Sequence, residues 1–197
     1  MRRAGLILQL FVVAAAPAMA DALPEVAYPT LGGIELCQPM ASVRALYPSS
    51  TMTTVTSEGQ TWPAARVDLG KTTWLLFEAS WVDHGRIWRI STNDPGYATR
   101  RGYRVGTSVA ELVRRGEKLD FDYPEGHLVV RIASENVGTL LDDDATNRFW
   151  ARFDYSGDPL TVLDHNARIK QLSIVRNCDN REKPPNSSIQ PPAFGRG

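Results

Sequence analysis

Apolar and polar positions change places along the chain in short runs broken by Gly, Pro and Asp, the pattern of strands joined by turns. Runs over residues 51–56, 65–69, 72–81 and 86–92 predict strands, with Gly70-Lys71 as a two-residue hairpin turn and Asp83-His84-Gly85 as a second turn. Further strands are predicted over 118–121, 127–133, 138–142, 148–153 and 167–175, with Asp122-Tyr123-Pro124-Glu125-Gly126 as a connecting turn.

Two short helices interrupt this series. Ser108 and Glu111 form a capping box, in which the hydroxyl caps the first turn and the carboxylate reaches back, and Gly116 suits the stop after about Arg115. Pro39 suits the first turn of the other helix, where its missing N–H costs nothing, and Pro48 ends that helix near Tyr47. The expected class is α+β: two short helices against one largely antiparallel sheet, or against two small ones.

The chain also reads as an internal repeat. Gly33-Ile34-Glu35-Leu36 and Gly102-Tyr103-Arg104-Val105 open two stretches that each continue into a short helix, at an offset of 69. Trp81-Val82-Asp83-His84 through Ser91 and Val162-Leu163-Asp164-His165 through Ser173 close them at an offset of 81, so the second stretch holds about twelve extra residues, expected between 142 and 153. This divides the chain into residues 31–98 and 99–179, two related helix-plus-antiparallel-strand halves forming a continuous or paired sheet.

Residues 1–20 have a basic start, a short apolar run and Ala18-Met19-Ala20, the three parts of a secretory signal peptide. The apolar run is shorter than the ~20 residues a membrane-spanning helix needs, so no retained anchor is expected, and no cysteine stands at the cleavage point for lipid attachment. Residues 21–30 read as an N-terminal arm without period, and 180–197, with Pro184, Pro185, Pro191 and Pro192, as a disordered tail. Asn186-Ser187-Ser188 fits a glycosylation acceptor that a bacterial signal would leave idle.

The whole chain has 22 Lys+Arg against 22 Asp+Glu, and removing Arg2 and Arg3 with the signal leaves a slight negative excess. That balance speaks against a nucleic-acid binder, which needs a basic face. Cys37 and Cys178, near opposite ends of the exported part, are expected to form a disulfide in a periplasmic or secreted protein.

The openings Gly33-Ile34-x-Leu36 and Gly102-Tyr103-x-Val105-Gly106-Thr107-Ser108, each leading into a short helix carrying Val43 or Leu112 and then a run of strands, resemble the β-lactamase-inhibitor-protein-like architecture. Each half is also similar to the small outer-membrane-assembly lipoprotein domain. The resemblance implies a binding module rather than a catalyst, an inhibitor being one such role.

Asp83-His84 and Asp164-His165 are the most suggestive polar pairs, since a carboxylate beside an imidazole can orient it or share a metal. A tight turn before a strand uses the same residues for local hydrogen bonding alone. A metal-assisted hydrolase using His84 and His165 is therefore the alternative function. Asp142-Asp143-Asp144 resembles the opening of a calcium loop, but Asn147 stands where the glycine belongs and Phe153 where the bidentate Glu belongs. No Gly-x-Ser-x-Gly, phosphate loop or dinucleotide fingerprint is present, and no metal or cofactor is implied.

The positive signal is aromatic. Trp74, Trp81, Trp88 and Trp150 lie in or beside predicted strands with charges interleaved. In an extended 148–153, Phe149, Ala151 and Phe153 would share the core face and Trp150 and Arg152 the outer one. Trp150, Arg152, Arg148 and Trp88 are thus the expected partner-binding residues, Trp and Arg being the side chains that dominate binding hot spots. The expected function is non-covalent recognition of a macromolecular partner, an envelope or secreted protein.

Overall fold

The computed structural model describes residues 24–178 apart from 58, 81, 83, 125 and 126. The expected signal at 1–20 and the tail from 180 onward, with Asn186, lie outside the described residues, as do Trp81 and Asp83.

Among the described residues twelve strands and three α-helices follow one another. They are β1 (Glu25–Ala27), β2 (Thr30–Leu31), β3 (Ile34–Glu35), α1 (Ala41–Leu46), β4 (Thr51–Ser57), β5 (Gln60–Asp68), β6 (Trp74–Ala79), β7 (Ile87–Thr92) and β8 (Ala98–Thr99). Then come α2 (Val109–Arg114), β9 (Leu119–Asp122), β10 (Val129–Ile132), β11 (Val137–Leu141), α3 (Asp143–Trp150) and β12 (Ile169–Val175).

Eight strands form one antiparallel sheet in the order β4-β5-β6-β7-β12-β11-β10-β9. The chain thus steps inward from one edge to β7, and its last strand, β12, pairs with β7 at the centre. A smaller sheet, β3-β2-β1-β8, contains one parallel pair, β1 with β8. The described residues are mostly strand, in two sheets, with three short α-helices. The arm expected at 21–30 carries β1 and the start of β2.

One face of the large sheet is the core. Val67, Leu75, Phe77, Ile90, Val130, Ile132, Leu172 and Ile174 cluster with Val43 of α1, Val109 and Leu112 of α2, Ala145 and Phe149 of α3, and Val26 and Leu31 of the small sheet. Phe77, Ile90 and Leu172 lose all solvent contact, and full burial of such a side chain stabilises by about 1.5–3 kcal/mol. Cys37 and Cys178 form the expected disulfide, which ties the turn after β3 to the end of β12.

Local chemistry explains the boundaries. Ser108 Oγ accepts the Glu111 N–H at 3.2 Å, while the Glu111 carboxylate turns to Arg115 at 3.6 Å rather than back to the cap. Gly116, at φ 71°, takes the left-handed conformation that stops α2. β5 begins at Gln60, earlier than its apolar run suggests. It accommodates Pro63 because β6 joins the ladder only from Ala64. Residues 69–73 form a longer turn than Gly70-Lys71, closed by Leu69 N–H to Thr73 C=O at 2.9 Å.

Residues 148–153 are not a strand. Asp142 Oδ1 accepts the Ala145 N–H at 2.8 Å, Asp143 and Asp144 place negative charge in the first turn, and α3 runs through Trp150. The helical spacing puts Ala145 and Phe149 in the core. The expected presentation of Trp150 with Arg152 on one strand face is therefore corrected: Trp150 ends α3, and Arg152 lies in the turn beyond its C-cap Ala151.

Candidate functional site

Among the described residues no helix lies on the other face of the large sheet, and its cross-strand register defines a surface. One row of directly paired residues crosses all eight strands: Thr51, Arg66, Leu76, Ser91, Ser173, Gly138, Arg131 and Asp120. Its middle is Ser91, Ser173 and Gly138, so the sheet has a low floor there and arginine on either side. The next row joins Ala64, Glu78, Arg89 and Val175.

On this floor sits a cavity of about 470 Å³, within the range of ligand-accepting pockets. Trp88, Arg89 and Val175 wall it on one side, and Tyr123, Pro124, Val129 and Arg131 on the other. The wall at Trp88 is built from an aromatic and ionic stack. Arg89 donates to both oxygens of Glu78, Nε to Oε1 at 2.6 Å and Nη2 to Oε2 at 2.5 Å, and Trp62 Nε1 donates to Oε2 at 3.2 Å. The Arg89 guanidinium lies 4.9 Å from the Trp88 ring centroid, and Trp62 meets Trp88 edge-on at 6.4 Å. The Glu78 side chain is only 2% exposed, so this fork fixes Arg89 and with it the ring beneath. Trp88 Nε1 is buried without a hydrogen-bond partner among the described residues.

The opposite wall rests on Tyr123. Its ring contacts Phe149, Trp150, Phe153 and Tyr155, with Trp150 edge-on at 5.5 Å. Burial, with the nearby Tyr155, Asp122 and Asp158, raises its phenol pKa above the usual value. Tyr155 is 71% exposed. Beside this wall Arg131 is held by Asp122 at 2.6 Å.

The fold itself has a solved counterpart. The uncharacterized protein YfeY from Escherichia coli has a crystal structure similar to this chain, with a TM-score of 0.55, 13% sequence identity, and coverage of 77% of this chain and 99% of that one. At that identity the likeness concerns the fold alone. No protein-family model and no curated protein matches the chain.

The residues expected to bind a partner divide. Trp88 is in the cavity wall; Trp150 reaches the same surface only through Tyr123. Arg148 points elsewhere, pairing with Asp164 at 2.7 Å, and Arg152 is an exposed residue after α3. Asp164 also accepts the Asn166 N–H at 2.8 Å, and this bond, with Arg148, holds its carboxyl below the usual range. The Asp164-His165 pair thus has the local bonding of a turn. His84 takes φ 53° in the corresponding loop, its N–H on Ser80 C=O at 2.8 Å. Among the described residues no group of three or more His, Cys, Asp or Glu gathers that could hold a metal.

Sequence reading missed Trp62, Glu78 and Tyr123. The first was legible in principle, because Trp62, Ala64, Arg66 and Asp68 alternate along one strand, but Pro63 hides the start of that strand. Tyr123 reads as a turn residue until its neighbours in space are known.

Proposed function

We propose that the chain is an exported envelope protein that recognises a macromolecular partner non-covalently through the open face of its eight-stranded sheet. The observation that carries this reading is the low floor of Ser173 and Gly138 between walls anchored by Trp88 and Tyr123. Aromatic and arginine side chains around a recess are the composition of a binding hot spot. The pocket's one lining serine, Ser173, directs its hydroxyl to Gly138 C=O at 3.3 Å rather than to a base, so recognition suits the chemistry better than acyl transfer.

Export is supported by the signal pattern of residues 1–20 and by a disulfide spanning 141 residues, a link that persists in oxidising compartments. No helix among the described residues is long and apolar enough to cross a membrane. In this reading the two halves are related units, α1 with β4–β7 and α2 with β9–β12, and the helix α3 fills the extra length of the second. The mirrored strand order supports it, as does the likeness of the two opening motifs to the β-lactamase-inhibitor-protein-like pattern. An inhibitor would use the open face to cover its target's own site.

The test places a photoreactive residue at Val175, on the cavity rim, and separately at Arg114, on α2. In native envelope extract the Val175 probe should give one discrete adduct, absent with the Arg114 probe and lost when Trp88→Ala is added. Identical adducts from both positions, or none from Val175, would overturn the reading.

A further inference from the structure

The cavity on the open face is aromatic on both walls and electrically balanced. Each arginine in its lining already holds a carboxylate: Arg89 forks onto Glu78, and Arg131 bonds Asp122 at 2.6 Å. A charged occupant would find no counter-charge left over and would lose hydration, so the site favours an uncharged one. The floor stays low because a Cβ on Gly138 would meet Ser173 Oγ at 3.2 Å and Val129 Cγ1 at 3.4 Å. What an occupant would cover is the apolar surface of Trp88, Tyr123, Val129 and Val175.

The chain's own C-terminal segment starts beside this cavity. Val175, at the end of β12, is part of the wall, the Arg176 N–H bonds Trp88 C=O at 2.9 Å, and Cys178 is bridged to Cys37. Residues 179–197 therefore continue from a point that the sheet and the disulfide both hold near Trp88. Their composition is uneven. The charges Asp179, Arg181, Glu182 and Lys183 come first, and residues 184–194, Pro-Pro-Asn-Ser-Ser-Ile-Gln-Pro-Pro-Ala-Phe, have none. Proline limits the conformations a free segment can adopt, so ordering such a segment in an aromatic-lined groove costs less entropy than usual.

The reach is sufficient. From β12 to β9 the cavity crosses three inter-strand spacings, about 14 Å. At ~3.1 Å per residue, Pro184 can lie about 19 Å from Cys178 along an extended chain and Pro191 about 40 Å.

We propose that residues 184–194 of this chain occupy the cavity, with Pro191, Pro192 and Phe194 against the rings of Trp88 and Tyr123. Segment and site match in charge, both being neutral, and in apolar character. Tethering places the segment at an effective concentration of the order of millimolar, so a contact of modest intrinsic affinity keeps the cavity filled. A partner that uses the open face must displace it, and that consequence alone rests on the recognition proposed above. Occupancy itself needs no partner.

The test uses the purified protein, its C-terminal segment intact, with a benzophenone side chain in place of Phe194. Illumination should link residue 194 to the cavity lining, at monomer mass and with a yield independent of protein concentration; peptide mapping locates the adduct. Pro191→Asp with Pro192→Asp brings charge to an uncharged site, leaves the sheet untouched, and should lower the yield at least tenfold. Arg196→Gln, outside the uncharged stretch, should leave it unchanged. In nitrogen-15 spectra of the protein with Phe194 in place, the Gly138 and Val175 amides and the Trp88 indole N–H should shift with the two aspartates. No adduct, adducts scattered over the surface, or a yield indifferent to the aspartates overturns the proposal. A cavity adduct at dimer mass overturns it too and assigns the site to a second copy. The recognition reading fails separately, by absence of the Val175 adduct in envelope extract, whatever the purified protein shows.

Discussion

Glu78 and Arg89 face each other across β6 and β7, and Arg89 forks onto both carboxylate oxygens at 2.6 and 2.5 Å. The pair stands on the side of the sheet with no helix, yet the glutamate is nearly inaccessible. Trp62 and the Arg89 side chain supply the cover that a helix supplies on the other face.

Removing Arg89 therefore strands a buried carboxylate. Arg89→Ala should lower unfolding stability by about 3 kcal/mol, the lower end for breaking a buried pair because the arginine is partly exposed. Glu78→Gln, which keeps an acceptor for Trp62, should cost less. Urea unfolding of both variants checks the order; equal costs would mean that the fork contributes nothing beyond packing.

Glu117 provides a pH test. Burial pushes its carboxyl pKa up, but donation from Ser134 and Tyr103 and the charges of Arg101 and Arg115 outweigh that and hold it below the ordinary value. A carboxyl lowered on folding contributes stability that is complete above the unfolded pKa and is lost as pH falls through the folded one. The parent should destabilise below pH 4.5 more steeply than Glu117→Gln, read as the urea midpoint against pH.

Its hydrogen-bond donor gives the opposite limb. Burial, and then the Glu117 contact, raises the Tyr103 phenol to about 12. A phenol raised on folding contributes stability that is present below the unfolded value of 10.0 and lost toward about 12. Tyr103→Phe should flatten this alkaline loss, with ultraviolet titration following the phenolate directly.

Asp142 uses both carboxylate oxygens, one on Ala145 N–H in α3 and one on Arg168 N–H ahead of β12, each at 2.8 Å. Asp142→Ala should cost about 2 kcal/mol, the upper end for loss of a helix cap because a second backbone donor is also released. Asp142→Asn should retain part of this. Thermal unfolding of the two variants decides whether the second bond matters.

The disulfide secures the end of β12 beside the cavity, where Arg176 N–H bonds Trp88 C=O at 2.9 Å. Replacing Cys37 and Cys178 by alanine together should cost about 2–5 kcal/mol. Hydrogen exchange should rise first at Arg176 and at the Cys37 N–H, which bonds Ile87 C=O. Uniform acceleration across the sheet would mean that the bridge acts only globally.

Much of the fold was legible because it depends on local chemistry. The Ser108 cap, the Gly116 stop, the Pro48 limit of α1 and the disulfide each follow from residues near one another or from cysteine count, whereas Pro39 lies one residue ahead of the Met40 N-cap rather than in the first turn. The reading of residues 148–153 failed because their short alternation of apolar and polar positions satisfies a strand as well as a helix. The decisive signal is Asp142 with Asp143 and Asp144, a cap and first-turn charge whose residue types also open a calcium loop.

By itself the sequence determined the mixture of short helices with mostly antiparallel strands, the cysteine pairing and most strand positions, since capping, turn chemistry and two-residue alternation act over a few residues. Tertiary structure alone decided which side of the large sheet remained uncovered. It also decided that Trp88 and Tyr123, distant along the chain, stand on opposite walls of one cavity, and that β4 and β9 became the edges. Those outcomes depend on cross-strand register and on the central β7–β12 pairing, which bring together residues that no short-range signal connects.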